Sequence, residues 1–245
     1  MSDQPDPPGG ATVAARLAAA RAGVRDAALA AGRDPAGVRI LLATKTMSPA
    51  TIREAFAAGG ILIGENRVQE VLAKADDLAD VPHETHFIGH LQSNKVNQVL
   101  PHVQCVQTLD SAALAARLQS RLTVFDRDVD VLVQVNVSGE SSKSGVAPDE
   151  VRDLVAAVAD CPRLTLRGFM TIGLNSPDRA AVRRGYAELA GIRERAAGEG
   201  WPGAAAAVEL SMGMSGDYPD AIAEGATIVR LGSAVFGARP PLAPR

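Results

Sequence analysis

Lys45 closes the run Arg39-Ile-Leu-Leu-Ala-Thr-Lys45-Thr46, whose four apolar residues read as a buried strand with an amine at its tip. Such an amine is costly to bury unless it is paired or has chemistry to do. The 25 basic residues comprise 21 Arg and only four Lys: Lys45, Lys74, Lys95 and Lys143. Where any cation serves, this chain uses Arg. Only lysine condenses with a carbonyl to a Schiff base, once burial lowers its pKa from about 10.4. On position alone two readings of Lys45 stand: an amine snorkelling to a salt bridge, or an anchor for a carbonyl cofactor or substrate.

Two further groups suit the second reading. Gly/Ser-rich turns are expected after the last two strands, Ser211-Met212-Gly213-Met-Ser215-Gly216-Asp217 and Gly232-Ser233-Ala-Val-Phe-Gly237. Backbone N–H groups in such turns hold phosphate, glycine lets the backbone approach the anion, and a serine hydroxyl adds a donor. The plain alternative is two ordinary turns. The chain has neither a P-loop nor a GxGxxG sequence, which favours a small phosphorylated cofactor over a nucleotide. Arg230 sits in an apolar strand just before the second turn, so it must be paired or hydrogen-bonded. It could be a salt-bridged core arginine. Taken with Lys45 and a phosphate cradle, it points to pyridoxal 5′-phosphate: the lysine for C4′, the turns for the phosphate, the arginine for the pyridine nitrogen.

These residues need a scaffold that brings distant segments to one rim. Residues 1–10, rich in Pro, Asp and Gly, read as a disordered tail. Thr12 can cap a helix to about residue 31, with Leu17, Val24 and Leu29 on its apolar face. Strands are then predicted over 38–44, 61–64, 84–88, 105–107, 129–137, 164–168, 207–210 and 228–231. Helices are predicted over 49–58, 67–79, 93–100, 111–122, 148–159, 177–197 and 218–224. Short strands that are apolar on both faces and alternate with helices imply a parallel sheet covered by helices. Eight such units fit one (β/α)8 barrel, over residues 11–240, with an extra N-terminal helix; a doubly wound open sheet is the alternative. Barrel chemistry sits at the strands' C-terminal ends. Asn66, His86, His90, Asn136, Met170, Thr171, Ser211, Arg230 and Ser233 all lie near predicted strand ends.

The bulk composition excludes other classes. A net charge of −3 with interspersed acids and bases argues against a nucleic-acid binder. No apolar run reaches the ~18 residues of a membrane span. Cys105 and Cys161, with no CxxC, suit a reducing cytoplasm. His83, His86 and His90 are close in sequence, but on a strand His83 and His86 face opposite sides, so no metal site is expected. A monomer is expected.

Seven segments carry a resemblance. They are Ala43-Thr-Lys-Thr46, Ile63-Gly-Glu-Asn-Arg-Val-Gln-Glu70, His86-Phe-Ile-Gly-His-Leu-Gln-Ser-Asn-Lys95, Ser141-Ser-Lys-Ser-Gly145, Leu166-Arg-Gly-Phe-Met170, Leu210-Ser-Met-Gly-Met-Ser215 and Arg230-Leu-Gly-Ser-Ala-Val-Phe-Gly237. Together the chain resembles the YggS/PROSC family of pyridoxal phosphate-binding, or homeostasis, proteins. The resemblance implies a single-domain barrel related to the alanine racemase N-terminal domain. It implies an aldimine at Lys45, with Ser211, Gly232 and Ser233 around the phosphate. Asn66 and Arg230 complete the expected cofactor site, with Lys143, Met212 and Gly213 as secondary contacts. It further implies buffering or delivery of the cofactor, with apo-enzymes as partners and no efficient turnover. Phe169 and Ser233 depart from the usual Leu or Met and Thr, and a serine keeps the hydroxyl. The rivals are an amino-acid racemase and a Schiff-base lyase acting on a substrate carbonyl. A racemase needs a tyrosine base and a second domain. Only Tyr186 and Tyr218 are present, and about 8 residues follow Gly237. Asn66 either contacts the cofactor or caps the next helix.

Overall fold

A computed structural model of the chain describes residues 11–140 and 144–237. Eight parallel strands close in sequence order into a barrel: β1 Arg39–Ala43, β2 Leu62–Glu65, β3 Glu84–Phe87, β4 Cys105–Leu109, β5 Val129–Gln134, β6 Leu164–Met170, β7 Glu209–Met214 and β8 Ile228–Leu231. The helices are α1 Val13–Ala30, α2 Pro49–Ala57, α3 Val68–Leu78, α4 Val96–Val99, α5 Ala112–Phe125, α6 Val151–Ala159, α7 Arg179–Gly198, α8 Tyr218–Ala223 and α9 Ser233–Phe236. The (β/α)8 barrel is therefore the observed fold, and all eight predicted strands are present. Every residue of β2, β4 and β8 is buried, because helices cover the outer face while side chains fill the lumen.

Local chemistry sets the starts of the elements. The Thr12 hydroxyl accepts from Ala15 N at 3.2 Å, and the Ser48 and Ser111 hydroxyls cap α2 and α5 in the same way. In α1 the buried face is Val13, Leu17, Ala20, Val24 and Ala28, a single helical stripe. Leu29, expected on that face, is instead 59% exposed, and Ala28 takes the inward position. Helix α1 packs on α2, α8 and α9, which flank the β8–β1 pair where the barrel closes.

Three boundaries differ for physical reasons. The helix predicted over 93–100 is instead a 3₁₀ turn, the single α-turn α4 and a second 3₁₀ turn, and α4 stops at Val99 because Pro101 has no N–H to continue the ladder. Strand β5 ends at Gln134, since Val135 pairs with the returning Val146. Strand β7 runs on to Met214 rather than ending at 210. Gly213 has φ +88°, and the β7–β8 register shifts between Ser211 and Met214. A Cβ at Gly213 would meet the Ala221 methyl at 2.5 Å, so this bulge against α8 requires glycine. The expected tail 1–10 lies outside the described residues, as does 238–240 at the expected end of the barrel.

Candidate functional site

A cavity of about 470 Å³ opens at the C-terminal ends of the strands. Lys45, Asn66, Arg230, Gly232 and Ser233 line it, joined by Ser215 and Gly216 of the turn after β7. Thus five of the six principal residues singled out in the sequence meet in one place. Among the described residues Lys45 is the only lysine on this cavity; Lys143 lies outside the described residues.

The backbone that carries Lys45 is pinned on both sides. Buried Lys74 of α3 donates to Thr44 O at 2.9 Å, to Glu65 Oε1 at 2.7 Å and to Glu70 Oε2 at 3.0 Å. Thr44 Oγ1 donates to the same Glu65 oxygen at 2.7 Å. Beyond Lys45, Thr46 adopts φ +65°, an uncommon and costly conformation for a β-branched residue. Its N–H donates to Glu70 Oε2 at 2.7 Å, and its hydroxyl donates to Lys45 O at 2.6 Å. Burial pushes the Glu65 carboxyl above the ordinary carboxylate value, while Lys74 and Thr44 pull it back. Burial also pushes Glu70 up, but the Thr46 N–H and Lys74 outweigh it and hold Glu70 below its usual value. Lys74 is the residue that sequence reasoning missed. Its signal was there: a scarce lysine four residues after Glu70 on one helix.

The opposite wall is built by β7 and β8. Arg230 is 6% exposed. It donates from Nη1 to Ser211 Oγ at 2.9 Å and from Nη2 to Thr171 O at 2.8 Å. Burial pulls its guanidinium down to about 10, still a cation at neutral pH. Ser211, expected beside the phosphate, is fully buried within β7 and does not line the cavity. It belongs to β7 rather than to the turn after it, and its hydroxyl donates to Gln107 Oε1 at 2.7 Å. Met212 is likewise buried and off the cavity, and Gly213 acts through the bulge. Ser215 stands where Ser211 was expected. Its hydroxyl accepts from Ala234 N at 3.3 Å and so ties the two Gly/Ser turns together.

Asn66 does not cap α3, whose N-cap is Arg67. Its Oδ1 is buried without a hydrogen-bond partner among the described residues, an orphan acceptor on the cavity wall. Asp217 sits at the α8 N-cap, yet its carboxylate accepts from Met214 N at 2.6 Å and from the Tyr186 hydroxyl at 2.8 Å. Burial and Asp217 push the Tyr186 phenol up, so it stays protonated. Tyr218 packs against Gly23 of α1 and does not line the cavity. The three histidines go to separate places. His83 stacks on Phe56, His90 lies 3.6 Å from Asp110, and His86, expected near the rim, points into the lumen between Glu84 and Gln107.

The closed parallel barrel thus carries an amine, a buried guanidinium and two Gly/Ser turns on one rim. The family model described as alanine racemase, N-terminal domain, matches residues 39–240. The chain is 45% identical over 233 residues to the pyridoxal phosphate homeostasis protein of Pseudomonas aeruginosa, covering 95% of this chain and 98% of that one. It superposes with TM-score 0.88 on an unknown protein from Bifidobacterium adolescentis, at 39% identity, covering 91% of this chain and 94% of that one. It superposes with TM-score 0.81 on PipY of Synechococcus elongatus solved with PLP bound, at 32% identity, covering 92% of this chain and all of that one. The chain belongs to the pyridoxal phosphate homeostasis protein family.

Proposed function

We propose that this protein holds pyridoxal 5′-phosphate and serves the cell's supply of it, by buffering or delivery, with little or no turnover of its own. The observation that carries this reading is the meeting of Lys45, Arg230 and the Gly232–Ser233 turn on one cavity of small-cofactor size. The residues fit the group. Lys45 supplies the amine for the aldehyde carbon. Ser233, Gly232, Ser215 and Gly216 supply donors and close backbone approach for the phosphate. Asn66 Oδ1, orphaned on the wall, can accept a hydrogen bond from the ligand. Arg230, also on the cavity wall, would hold the ring nitrogen. Ser211 contributes from behind, by holding Arg230. When bound, pyridoxal phosphate offers a reactive aldehyde and a ring that can draw electrons from an attached amino acid.

The reading of little turnover rests on this chain's acid–base groups. Burial lowers the Arg230 guanidinium only to about 10, so it would donate a hydrogen bond to the ring nitrogen without giving up a proton. The electron sink then stays weak. A proton would have to be moved at an α-carbon by bases on both faces. Lys45 serves one face. Tyr186 is committed to Asp217 and Tyr218 to α1. Incubation with L-alanine in deuterated water should therefore give negligible α-deuterium and negligible racemisation. Turnover at ordinary enzyme rates, about 1–10³ per second, would restore the racemase reading. Proteins that receive the cofactor would be apo-enzymes, and a cytoplasmic setting fits the two free buried cysteines.

The phosphate assignment has its own test. A hydrogen bond to a charged group is worth roughly 1.5–3 kcal/mol, so Ser233→Ala should weaken cofactor binding about 10- to 150-fold. A titration of visible absorbance reads this directly. Unchanged affinity in both Ser233→Ala and Ser215→Ala would move the phosphate elsewhere.

A further inference from the structure

An unbroken line of polar side chains crosses the lumen from Arg230 at the cavity to the opposite mouth of the barrel. Arg230 Nη1 donates to Ser211 Oγ at 2.9 Å. Ser211 Oγ donates to Gln107 Oε1 at 2.7 Å. Gln107 Nε2 meets His86 Nδ1 at 2.6 Å, and His86 Nε2 meets Glu84 Oε1 at 2.6 Å. Three of these residues, His86, Gln107 and Ser211, are 0–2% exposed. No function described so far uses His86, Gln107 or Glu84.

The donors in this line can all point one way. An amide NH₂ only donates, so with Gln107 Oε1 committed to the serine hydroxyl, His86 Nδ1 must accept. The ring proton then sits on Nε2 and is given to the Glu84 carboxylate. A guanidinium stands at one end and a carboxylate at the other, and every bond between them is polarised in the same sense, which strengthens each of them. Protonating His86 Nδ1 would oblige the Gln107 amide to turn over. Its NH₂ would then face Ser211, whose hydroxyl would lose its acceptor. The far end is also anchored by charge. Glu84 pairs with Arg39 at 3.3 Å, Arg39 with Glu209 at 3.3 Å, and Arg167 with Asp130 at 2.9 Å. These groups surround a second cavity of about 240 Å³ that His86 and Cys105 also line.

We infer that Gln107 and His86 are positioning residues for the cofactor: the line Glu84–His86–Gln107–Ser211 sets the direction in which Arg230 presents its donors to the ring nitrogen. The cofactor half of this inference rests on the proposed function, and the histidine half does not. Gln107 lies off the cavity, and its hydrogen-bonded route to a bound ring runs through Ser211 and Arg230.

The test combines two variants with two measurements. In cofactor-free wild-type protein, nitrogen-15 NMR should find the proton of the neutral His86 ring on Nε2. Gln107→Leu keeps the volume but cuts the line. It should still form a borohydride-stable adduct on Lys45, but with affinity lowered about tenfold, one hydrogen bond's worth, and with a displaced absorption maximum. Gln107→Glu keeps the acceptor for Ser211 and demands a donor from Nδ1. It should bind within about threefold of wild type, on the same scale of one modest interaction, with His86 now carrying both protons. Wild-type affinity and spectrum in Gln107→Leu would overturn the inference, as would a wild-type His86 proton on Nδ1. If Gln107→Leu does not fold, the wild-type tautomer and Gln107→Glu decide. If wild-type protein forms no adduct at all, the cofactor reading fails separately, and the tautomer still judges the line.

Discussion

Lys45→Ala should abolish the borohydride-stable adduct that wild-type protein forms with pyridoxal 5′-phosphate, and with it the yellow colour. The expected loss is complete, because among the described residues no other lysine lines the cavity. Lys74 Nζ already donates to three oxygens beneath the strand end, and Lys95 lies in a 3₁₀ turn away from the cavity. Reduction followed by peptide mapping should therefore place the label on Lys45 alone at low cofactor excess. A label of equal yield on Lys95 or Lys143, persisting in Lys45→Ala, would remove the anchor from this site. Loss of colour with unchanged thermal unfolding would separate lost chemistry from lost fold.

Lys74→Met should be the most destabilising single change near the site. Its partner Glu65 is 1% exposed, and removing one member of a buried ion pair leaves the other charge uncompensated, typically at a cost of about 3–5 kcal/mol. Urea unfolding should show that loss as a lower midpoint with an unchanged slope. The double change Lys74→Met with Glu65→Leu should recover much of it, since an apolar pair of similar volume avoids desolvating either charge. The single variant should also bind the cofactor more weakly. Without Lys74, Glu70 loses one of the two groups that hold it where it accepts from Thr46 N, and the left-handed turn that follows Lys45 relaxes. A single variant as stable as wild type would mean that the pair is replaceable by water.

The strands and the two walls of the cavity were legible in the sequence because each depends on local pattern. Apolar runs of four to six residues bounded by turn residues mark strands whatever their partners are. Lys45 and Arg230 stand out because a charge inside such a run is expensive. What escaped was set by long-range geometry. Ser211 lies inside β7 because the strand runs on through the irregular step at Gly213, whose fit against Ala221 of α8 no local window of sequence shows. Leu29 was expected to be buried because alanine-rich helices blur their stripe, and the packing of α1 on α2, α8 and α9 chose Ala28 instead. His86 was expected near the rim because it sits in the third strand with His90 just beyond it. Its partner Gln107 is one strand over, and nothing in the spacing announces the pairing. Lys74 was visible as a scarce residue, but its target, the carbonyl of Thr44, belongs to another element.

The barrel closes by pairing its first strand with its last, with Arg39 opposite Ile228 and Leu42 opposite Leu231. The candidate site straddles that seam: Lys45 leaves β1, while Arg230 and Ser233 belong to β8 and the turn after it. Bringing the first and last strands together carries the largest loop-closure entropy in the chain, and such contacts form late. On the proposed function, one small molecule bonded to Lys45 and held by Ser233 would bridge those two strands as a non-peptide staple. At a free concentration of one hundred times Kd it would add about 2.7 kcal/mol to stability. Loaded and empty protein would then differ in how often β1 and β8 part, and slower amide exchange in β1 and β8 would report cofactor occupancy.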